Sequence, residues 1–301
     1  MPTPAPTYRP LAAALWMTGA IASFTAMAIS GRQVSALHDT FEIMTARSVI
    51  GFILVVIAGG ALGRLPRVRT DRLGQHLLRN LLHFTGQNLW FYAITVIPPA
   101  QVFALEFTSP IWVILLSPFV LGERLTPIGL LAAALGFVGI LVVARPDFTH
   151  LDPGVLAAAG SAVFFAATLL MTKALTKGED IISILFWLTV MQAVFGAVMA
   201  GHDGQVSWPT HATLPWLASI GLAGVVAHLC LTTALSLAPA SFVAPIDFIR
   251  LPVIAVVGAL IYAEPISIGV IAGGALIFFA NWLTIRAQGL ARKSQSNLTE
   301  M

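Results

Sequence analysis

The sequence predicts an all-α integral membrane protein with ten transmembrane helices, arranged as two inverted five-helix repeats. Three observations lead to this fold class. Of the 301 residues, 57% are hydrophobic and only 10% are charged, whereas soluble domains carry about 25% charged residues. Ten apolar stretches are long enough to cross a bilayer, and the second half of the chain repeats the first. This composition excludes a soluble enzyme, a disordered chain and a nucleic-acid-binding module.

The ten apolar stretches are each about 20 residues long, which suits a hydrocarbon core about 30 Å thick. Prolines mark several of their ends, because proline is tolerated in the first turn of a helix and stops a helix elsewhere. Little sequence remains for an extramembrane domain. The predicted spans cover residues 11–30, 43–62, 77–96, 101–121, 127–143, 154–176, 181–200, 214–236, 241–262 and 265–285.

The distribution of lysine and arginine predicts the orientation of the spans, because cytoplasmic loops carry an excess of these residues. Only Arg32 and Arg145 fall on the side opposite the N-terminus. We therefore expect residues 1–10 and 287–301 to be cytoplasmic tails of a multi-pass protein of the cell (inner) membrane. Eleven residues fall on the N-terminal side: Arg9, Arg64, Arg67, Arg69, Arg72, Arg124, Lys173, Lys177, Arg286, Arg292 and Lys293.

Sliding the chain along itself by 141 residues aligns its two halves. The repeat units are predicted at 11–145 (spans one to five) and 153–286 (spans six to ten). Because each unit holds an odd number of spans, the second copy enters the membrane from the opposite face, as in many secondary transporters. The aligned pairs include Pro98/Pro239, Glu106/Asp247, Phe107/Phe248 and Glu123/Glu264.

Each half also closes with an acidic residue just before its last helix, within residues 119–127 and 259–265. These features resemble the EamA family of the drug/metabolite transporter superfamily, and the resemblance runs from about residue 11 to residue 286. It implies transport of small organic metabolites, amino acids among them and often outwards. It also implies a cavity lined mainly by spans one, three, four, six, eight and nine.

Span three carries candidate substrate-binding residues. His83 and Trp90 share one helix face, and Gln87 flanks that face. A face with an imidazole, an amide and an indole suits the wall of a binding site. Arg79 lies on the same face, and the alternative is that it extends outward to the cytoplasmic interface.

Span four offers Glu106 and Trp112, with Pro110 between them. Pro110 lacks a backbone donor and frees a carbonyl one turn back, next to the carboxylate. This combination could bind a substrate ammonium group or a proton. The alternative for Glu106 is a structural ion pair, for example with Arg47 of span two.

Spans eight and nine add His228, Asp247 and Arg250. Asp247 and Arg250 are spaced i, i+3 and can neutralise each other, although Arg250 could also bind a substrate carboxylate. His228 aligns with Gln87 under the repeat, which favours an inward position for both. The candidate proton carriers are Glu106, Asp247, His83 and His228.

We expect a secondary transporter that moves a small organic metabolite across the cytoplasmic membrane by alternating access, in the direction of efflux. The expected substrate is an amino acid or a similar zwitterionic or aromatic compound. The alternative within this class is an uptake or exchange carrier for a vitamin- or nucleoside-like metabolite. The chain has no G-x-x-x-x-G-K-[ST] motif, so ATP does not drive transport directly.

Two other classes fit the sequence less well. An intramembrane enzyme would need a motif such as H-E-x-x-H or G-x-S-x-G, and neither occurs, so we predict no catalytic residues. A channel would need rings of like groups or a filter loop, and we find neither in the sequence. Cys230 is the single cysteine, and a net charge of +3 forms no basic patch.

The predicted partners are therefore a small-molecule substrate and the lipid bilayer, with no metal, cofactor or nucleic acid. Small-residue seams at 132–136 and 269–273, on spans five and ten, allow close helix packing. These seams could join the two halves of the chain or form a homodimer.

Overall fold

The computed structural model describes residues 8–34, 37–97, 99–123, 125–144, 153–201, 206–262, 268–269, 271–280 and 282–283. Every regular element within these ranges is helical, which confirms the all-α prediction. Two short 3₁₀ turns lie at Leu65–Arg67 and Asp247–Ile249. The α-helices are α1 Pro10–Val34, α2 Thr40–Ala61, α3 Leu73–Val96, α4 Pro99–Glu106, α5 Ser109–Leu121, α6 Pro127–Ala144, α7 Pro153–Leu175, α8 Ile181–Ala200, α9 Leu214–Leu237, α10 Ala240–Ile246, α11 Arg250–Tyr262 and α12 Ile271–Ala280.

Six helical stretches in the described part of the chain are long and apolar enough to cross a membrane, and three shorter apolar helices accompany them. Helix α3 has 24 residues but does not reach the same hydropathy, because polar side chains interrupt it. These helices identify a multi-pass membrane protein. The count of ten crossings stays a prediction.

Two predicted spans, 101–121 and 241–262, are each broken into two helices. Helix α4 ends at Glu106 and α5 begins at Ser109, because Pro110 has no N–H for the carbonyl one turn earlier. Helix α10 gives way at Asp247 to a 3₁₀ turn before α11. The two breaks fall at positions that the 141-residue repeat aligns, and each one carries an acidic residue.

The packing of the helices follows the same repeat. Helix α1 packs along α9, and their repeat equivalents, α7 and α3, pack along each other. Helices α2 and α8, which are also equivalent, contact one another. A two-fold relation between the halves requires such a pattern, because every contact between them must occur twice or lie on the axis.

The residues after the two acidic positions form one apolar cluster. Phe107 and Phe248 are 1% and 0% exposed and pack with Ile140 of α6 and Ile277 of α12. Inside a membrane this burial stabilises the fold through packing contacts, because lipid tails are as apolar as the phenylalanine ring. The cluster therefore anchors both helix breaks against α6 and α12.

Helices α6 and α12 approach each other closely within the chain. A Cβ atom on Gly139 would lie 2.8 Å from the carbonyl oxygen of Gly273. The seam at 269–273 thus helps to join the two halves, which is one of its two predicted roles. The homodimer stays a prediction.

Glu123 links the halves at another place. Its carboxylate accepts hydrogen bonds from the backbone N–H groups of Ala240 and Ser241, at 2.9 and 3.1 Å, and from the Ser241 hydroxyl at 2.8 Å. These are the first residues of α10. The sequence suggests a structural role for Glu123 at the start of α6, and the structure shows that its charge caps α10 instead. Its repeat counterpart, Glu264, lies outside the described residues.

The cap on α10 gives a first prediction. Glu123→Ala removes three hydrogen bonds and should lower the free energy of unfolding by about 1–2 kcal/mol. Thermal unfolding of the detergent-purified chain measures this change. Asp71→Ala, at an exposed carboxylate, is the matched control and should unfold like the wild type. Equal melting temperatures for the two variants would contradict the cap.

Candidate functional site

The two helix breaks bring Glu106 and Asp247 to the same guanidinium group. One terminal nitrogen of Arg250, Nη2, donates to Glu106 Oε1 at 2.9 Å and to Asp247 Oδ2 at 2.9 Å. We call these three residues the carboxylate bridge. It joins α4 of the first half to the α10–α11 break of the second, and its formal charge is −1. The predicted Asp247–Arg250 pair is present, and Glu106 pairs with Arg250 rather than Arg47.

Aromatic side chains surround the carboxylate bridge. Trp90 on α3 donates its indole N–H to Glu106 Oε2 at 2.8 Å. The Arg250 guanidinium carbon lies 4.9 Å from the ring centre of Phe107 and 5.3 Å from that of Phe24. At these distances the ring faces attract the cation. The bridge is thus held by hydrogen bonds and by cation–π contacts.

Next to the bridge, His83 of α3 and His228 of α9 face each other. Their ring centres are 5.2 Å apart, with the ring planes nearly perpendicular. Phe24 packs against His228 at 5.8 Å, and Phe165 packs against His83 at 6.1 Å. The helix register predicted for both histidines therefore places them in one aromatic cluster, close to the middle of their helices.

Several polar atoms in this region are buried and have no hydrogen-bond partner among the described residues. Both ring nitrogens of His83 and of His228 are in this state. Buried polar groups are costly unless they are hydrogen-bonded, and native proteins satisfy nearly all of them. These atoms are therefore candidate hydrogen-bonding groups of the site. Other unpartnered atoms near the bridge and the histidine pair are Gln87 Oε1, Gln192 Oε1, Thr232 Oγ1, Asp247 Oδ1 and Arg250 Nε.

Arg79 does not extend to the membrane surface, which was one of its predicted alternatives. It is 1% exposed, and its guanidinium donates to Thr172 Oγ1 at 3.0 Å and to Asn80 Oδ1 at 2.9 Å. The reason is that α7 and α8 pack over this part of α3 and supply polar partners. The Asn80 side chain is itself bonded to the backbone carbonyl of Trp187 on α8.

The structure brings most of the predicted site residues together. The bridge unites Trp90, Glu106, Asp247 and Arg250, and the aromatic cluster unites His83 and His228. Trp112 stands apart, because it is 39% exposed and no hydrogen bond or ring contact in the described structure joins it to them. Glu106 and Trp112 are six residues apart and project about 120° away from each other even on a continuous helix, so the two side chains do not share a face.

Sequence reasoning missed Phe24, and it placed Thr232 on the helix face of His228 without counting it as a site residue. Phe24 contacts both His228 and Arg250, but a phenylalanine in an apolar span carries no signal of its own. Thr232 lies one turn after His228 on α9 and has a buried hydroxyl without a partner. Its helical spacing from His228 was the available signal.

This geometry defines the class of protein. A bundle of apolar helices with two broken spans at its polar centre is the arrangement of a membrane transporter. The chain belongs to the EamA-like transporter family, whose model matches residues 11–145 and 152–286. The protein is thus a small-metabolite transporter and not an enzyme.

Curated relatives of the chain are transporters as well. It is 32% identical to a riboflavin transporter of Brucella anthropi over 73% of this chain and 78% of the relative. It is 24% identical to an S-adenosylmethionine uptake transporter of Rickettsia felis over 93% and 95%. It is also 30% identical to the pseudopaline exporter CntI of Pseudomonas aeruginosa over 86% and 92%. One crystal structure superposes with a TM-score of 0.78 over 93% of this chain and 98% of its own, at 20% identity, which shows the same fold.

The carboxylate bridge predicts an order of stability for two isosteric variants. Glu106→Gln loses charge-assisted bonds to Trp90 and Arg250, whereas Asp247→Asn loses one, to Arg250. We expect Glu106→Gln to cost about 2–4 kcal/mol of unfolding free energy and Asp247→Asn about half as much. Thermal unfolding in detergent measures both, and the reverse order would contradict the bridge as described.

Proposed function

We propose that the chain is a secondary transporter for a small metabolite with a flat heteroaromatic ring, and that riboflavin is the first compound to test. The observation that carries this proposal is the set of unpartnered hydrogen-bonding atoms on His83, Gln87 and His228, which lie among aromatic rings. A flat heterocycle can stack on such rings while its edge atoms hydrogen-bond to the free polar groups. The riboflavin transporter among the relatives supports the same class of substrate.

The transport cycle we propose is alternating access between two inverted halves of five helices each. The carboxylate bridge supports it, because Glu106 and Arg250 belong to different halves and their ion pair must change when one half moves against the other. We also propose ten crossings of the inner membrane with both termini in the cytoplasm. Tag accessibility at residues 1–10 and 287–301 tests this topology.

A second candidate is export of a zwitterionic, amino-acid-like compound. Two observations favour it: the similarity to a pseudopaline exporter, and the charged groups of opposite sign on the two sides of the histidine pair. In this case the carboxylate bridge, with its charge of −1, would bind the substrate ammonium group. Substrate identity and direction separate the two candidates.

Counterflow in proteoliposomes tests the proposed function. Vesicles loaded with unlabelled riboflavin should accumulate labelled riboflavin transiently, because a carrier exchanges substrate across the membrane. Parallel vesicles loaded with S-adenosylmethionine or with a mixture of amino acids provide the competing substrates. Trans-stimulation by amino acids but not by riboflavin would favour the second candidate, and a flux without trans-stimulation would indicate a channel.

Replacement of the bridge carboxylates should reduce transport. Glu106→Gln and Asp247→Asn each leave Arg250 with one carboxylate, and we expect counterflow to fall about tenfold or more, since a lost charge-assisted bond is worth about 1.5–3 kcal/mol. Asp71→Asn is the control, because Asp71 is exposed and lies in the turn before α3, outside the carboxylate bridge. The amount of each variant that is reconstituted into the vesicles is also measured. Unchanged flux in both would remove the bridge from the mechanism.

Coupling to protons is a further part of the proposal. Glu106, Asp247, His83 and His228 are the groups that could carry a proton, and the guanidinium groups of Arg47 and Arg79 face the histidine pair. A double His83→Gln, His228→Gln variant should show weaker counterflow, because both rings belong to the proposed binding site, and the uptake that remains should no longer be stimulated by an imposed pH gradient. If the pH gradient stimulates uptake by this variant as fully as by the wild type, the coupled proton is carried by the carboxylates of Glu106 and Asp247.

A further inference from the structure

Two arginines are buried in the bundle without a carboxylate counter-ion. Arg47 on α2 is 9% exposed and Arg79 on α3 is 1% exposed, and neither forms an ion pair with any described residue. Burying an unpaired charge is strongly unfavourable. The carboxylates of the bridge form no ion pair with either arginine, because both of them bind Arg250. The charge of these arginines therefore requires another explanation.

The bonds of Arg79 position it without neutralising it. Both of its partners, Thr172 and Asn80, offer neutral oxygen atoms. Asn80 is in turn fixed by the backbone carbonyls of His76 and Trp187. This arrangement holds a guanidinium group rigidly in place, and its positive charge stays uncompensated.

Arg47 lies against the backbone of α9 and lines a cavity. A Cβ atom on Gly224 would lie 2.6 Å from Arg47 Nε, so the Arg47 side chain packs directly against this glycine. The cavity is small, about 10 Å³, and Ser48, Gln192 and His228 also line it. Gln192 Oε1 is buried without a partner among the described residues. The Arg47 side chain thus lies beside a small cavity together with polar groups that lack partners.

The two histidines connect the two arginines. Arg79 lies one helical turn before His83 on α3, and Gly224, which contacts Arg47, lies one turn before His228 on α9. The histidine rings are 5.2 Å apart. Both arginines are close enough to interact electrostatically with each other and with both histidines. We call Arg47, His228, His83 and Arg79 the basic row.

We propose that the basic row binds an anionic group of the transported compound, a carboxylate or a phosphate, so that a flavin phosphate or an amino acid binds there more tightly than neutral riboflavin. Guanidinium groups bind both kinds of oxyanion, often through two parallel hydrogen bonds. Phe24 contacts both His228 and Arg250, so the carboxylate bridge lies beside the histidine pair of the basic row. A substrate in the central site would therefore bind with its anionic end towards α2 and α8. This proposal rests on the proposed function in one respect: it places the anionic end of the substrate and the opposite end in a single central site.

Anion titration of the purified full-length chain tests the basic row without any organic substrate. Inorganic phosphate or acetate replaces chloride at constant ionic strength while thermal unfolding is recorded. We expect a saturable rise of the wild-type melting temperature. Arg47→Gln and Arg79→Gln should each weaken the apparent phosphate affinity about tenfold or more. Arg67→Gln is the control, because Arg67 forms an exposed ion pair with Asp180.

Two further measurements separate a binding role from a purely structural one. In phosphate-free buffer Arg47→Gln should unfold at a higher temperature than the wild type, because it removes an uncompensated buried charge. Arg47→Lys keeps the charge and should retain part of the phosphate response. Absence of a saturable response in the wild type, or equal phosphate affinity in Arg47→Gln and Arg67→Gln, overturns the proposal.

Competition identifies the source of the anion. If the group belongs to the substrate, inorganic phosphate should compete with riboflavin 5′-phosphate, which should bind at least tenfold more tightly than riboflavin in the wild type but not in Arg47→Gln. If inorganic phosphate instead strengthens riboflavin binding, the row binds a free anion and the assignment to the substrate is overturned. Failure of both flavins to bind contradicts the proposed function, whereas the phosphate titration decides the basic row by itself.

Discussion

The pairing of Arg250 with Glu106 and Asp247 is the constraint on which the centre of the molecule depends. Three charged groups in a helical bundle are tolerated only because each one has a partner of opposite sign within hydrogen-bond distance. Arg250 needs the carboxylate at each helix break, and each carboxylate needs Arg250. The bridge therefore fixes how the broken span of the first half meets the broken span of the second.

The repeat explains why the bridge can form at all. Glu106 and Asp247 are equivalent positions in the two halves, and the phenylalanine that follows each of them is buried in one shared cluster. The halves are not identical, however, because only the second carries an arginine three residues after its acidic position. One cation thus serves two carboxylates, and a site built from two similar halves becomes chemically asymmetric.

The sequence was sufficient to predict the all-α membrane class, the family resemblance and the inward position of the two central histidines. Composition, helical spacing and the aligned acidic positions carried these predictions. The partner of Glu106 could not be predicted, because the spacing on one helix reveals only the Asp247–Arg250 pair. Proximity between spans depends on how helices pack, and a single sequence does not record it.

Two further outcomes could not be predicted from single helices. Pro110 predicted a freed carbonyl near Glu106, but not that α4 would end there or that Trp112 would lie apart from the bridge. Arg79 was left between a surface and an interior position, because one helix does not show which neighbours pack against it. Its burial depends on Thr172 of α7 and on the partners of Asn80 in α8, which lie about a hundred residues further along the chain.

The cap that Glu123 places on α10 has a mechanical consequence. Helix α10 ends at the break at Asp247. Glu123 lies just after α5, the helix that begins beyond the break at Glu106. The hydrogen bonds of Glu123 thus hold the loop after α5 and the start of α10 together at one point. If the halves rock, this fastening acts as a pivot, so that the ends of the two broken spans stay together while the segments around Glu106 and Asp247 separate.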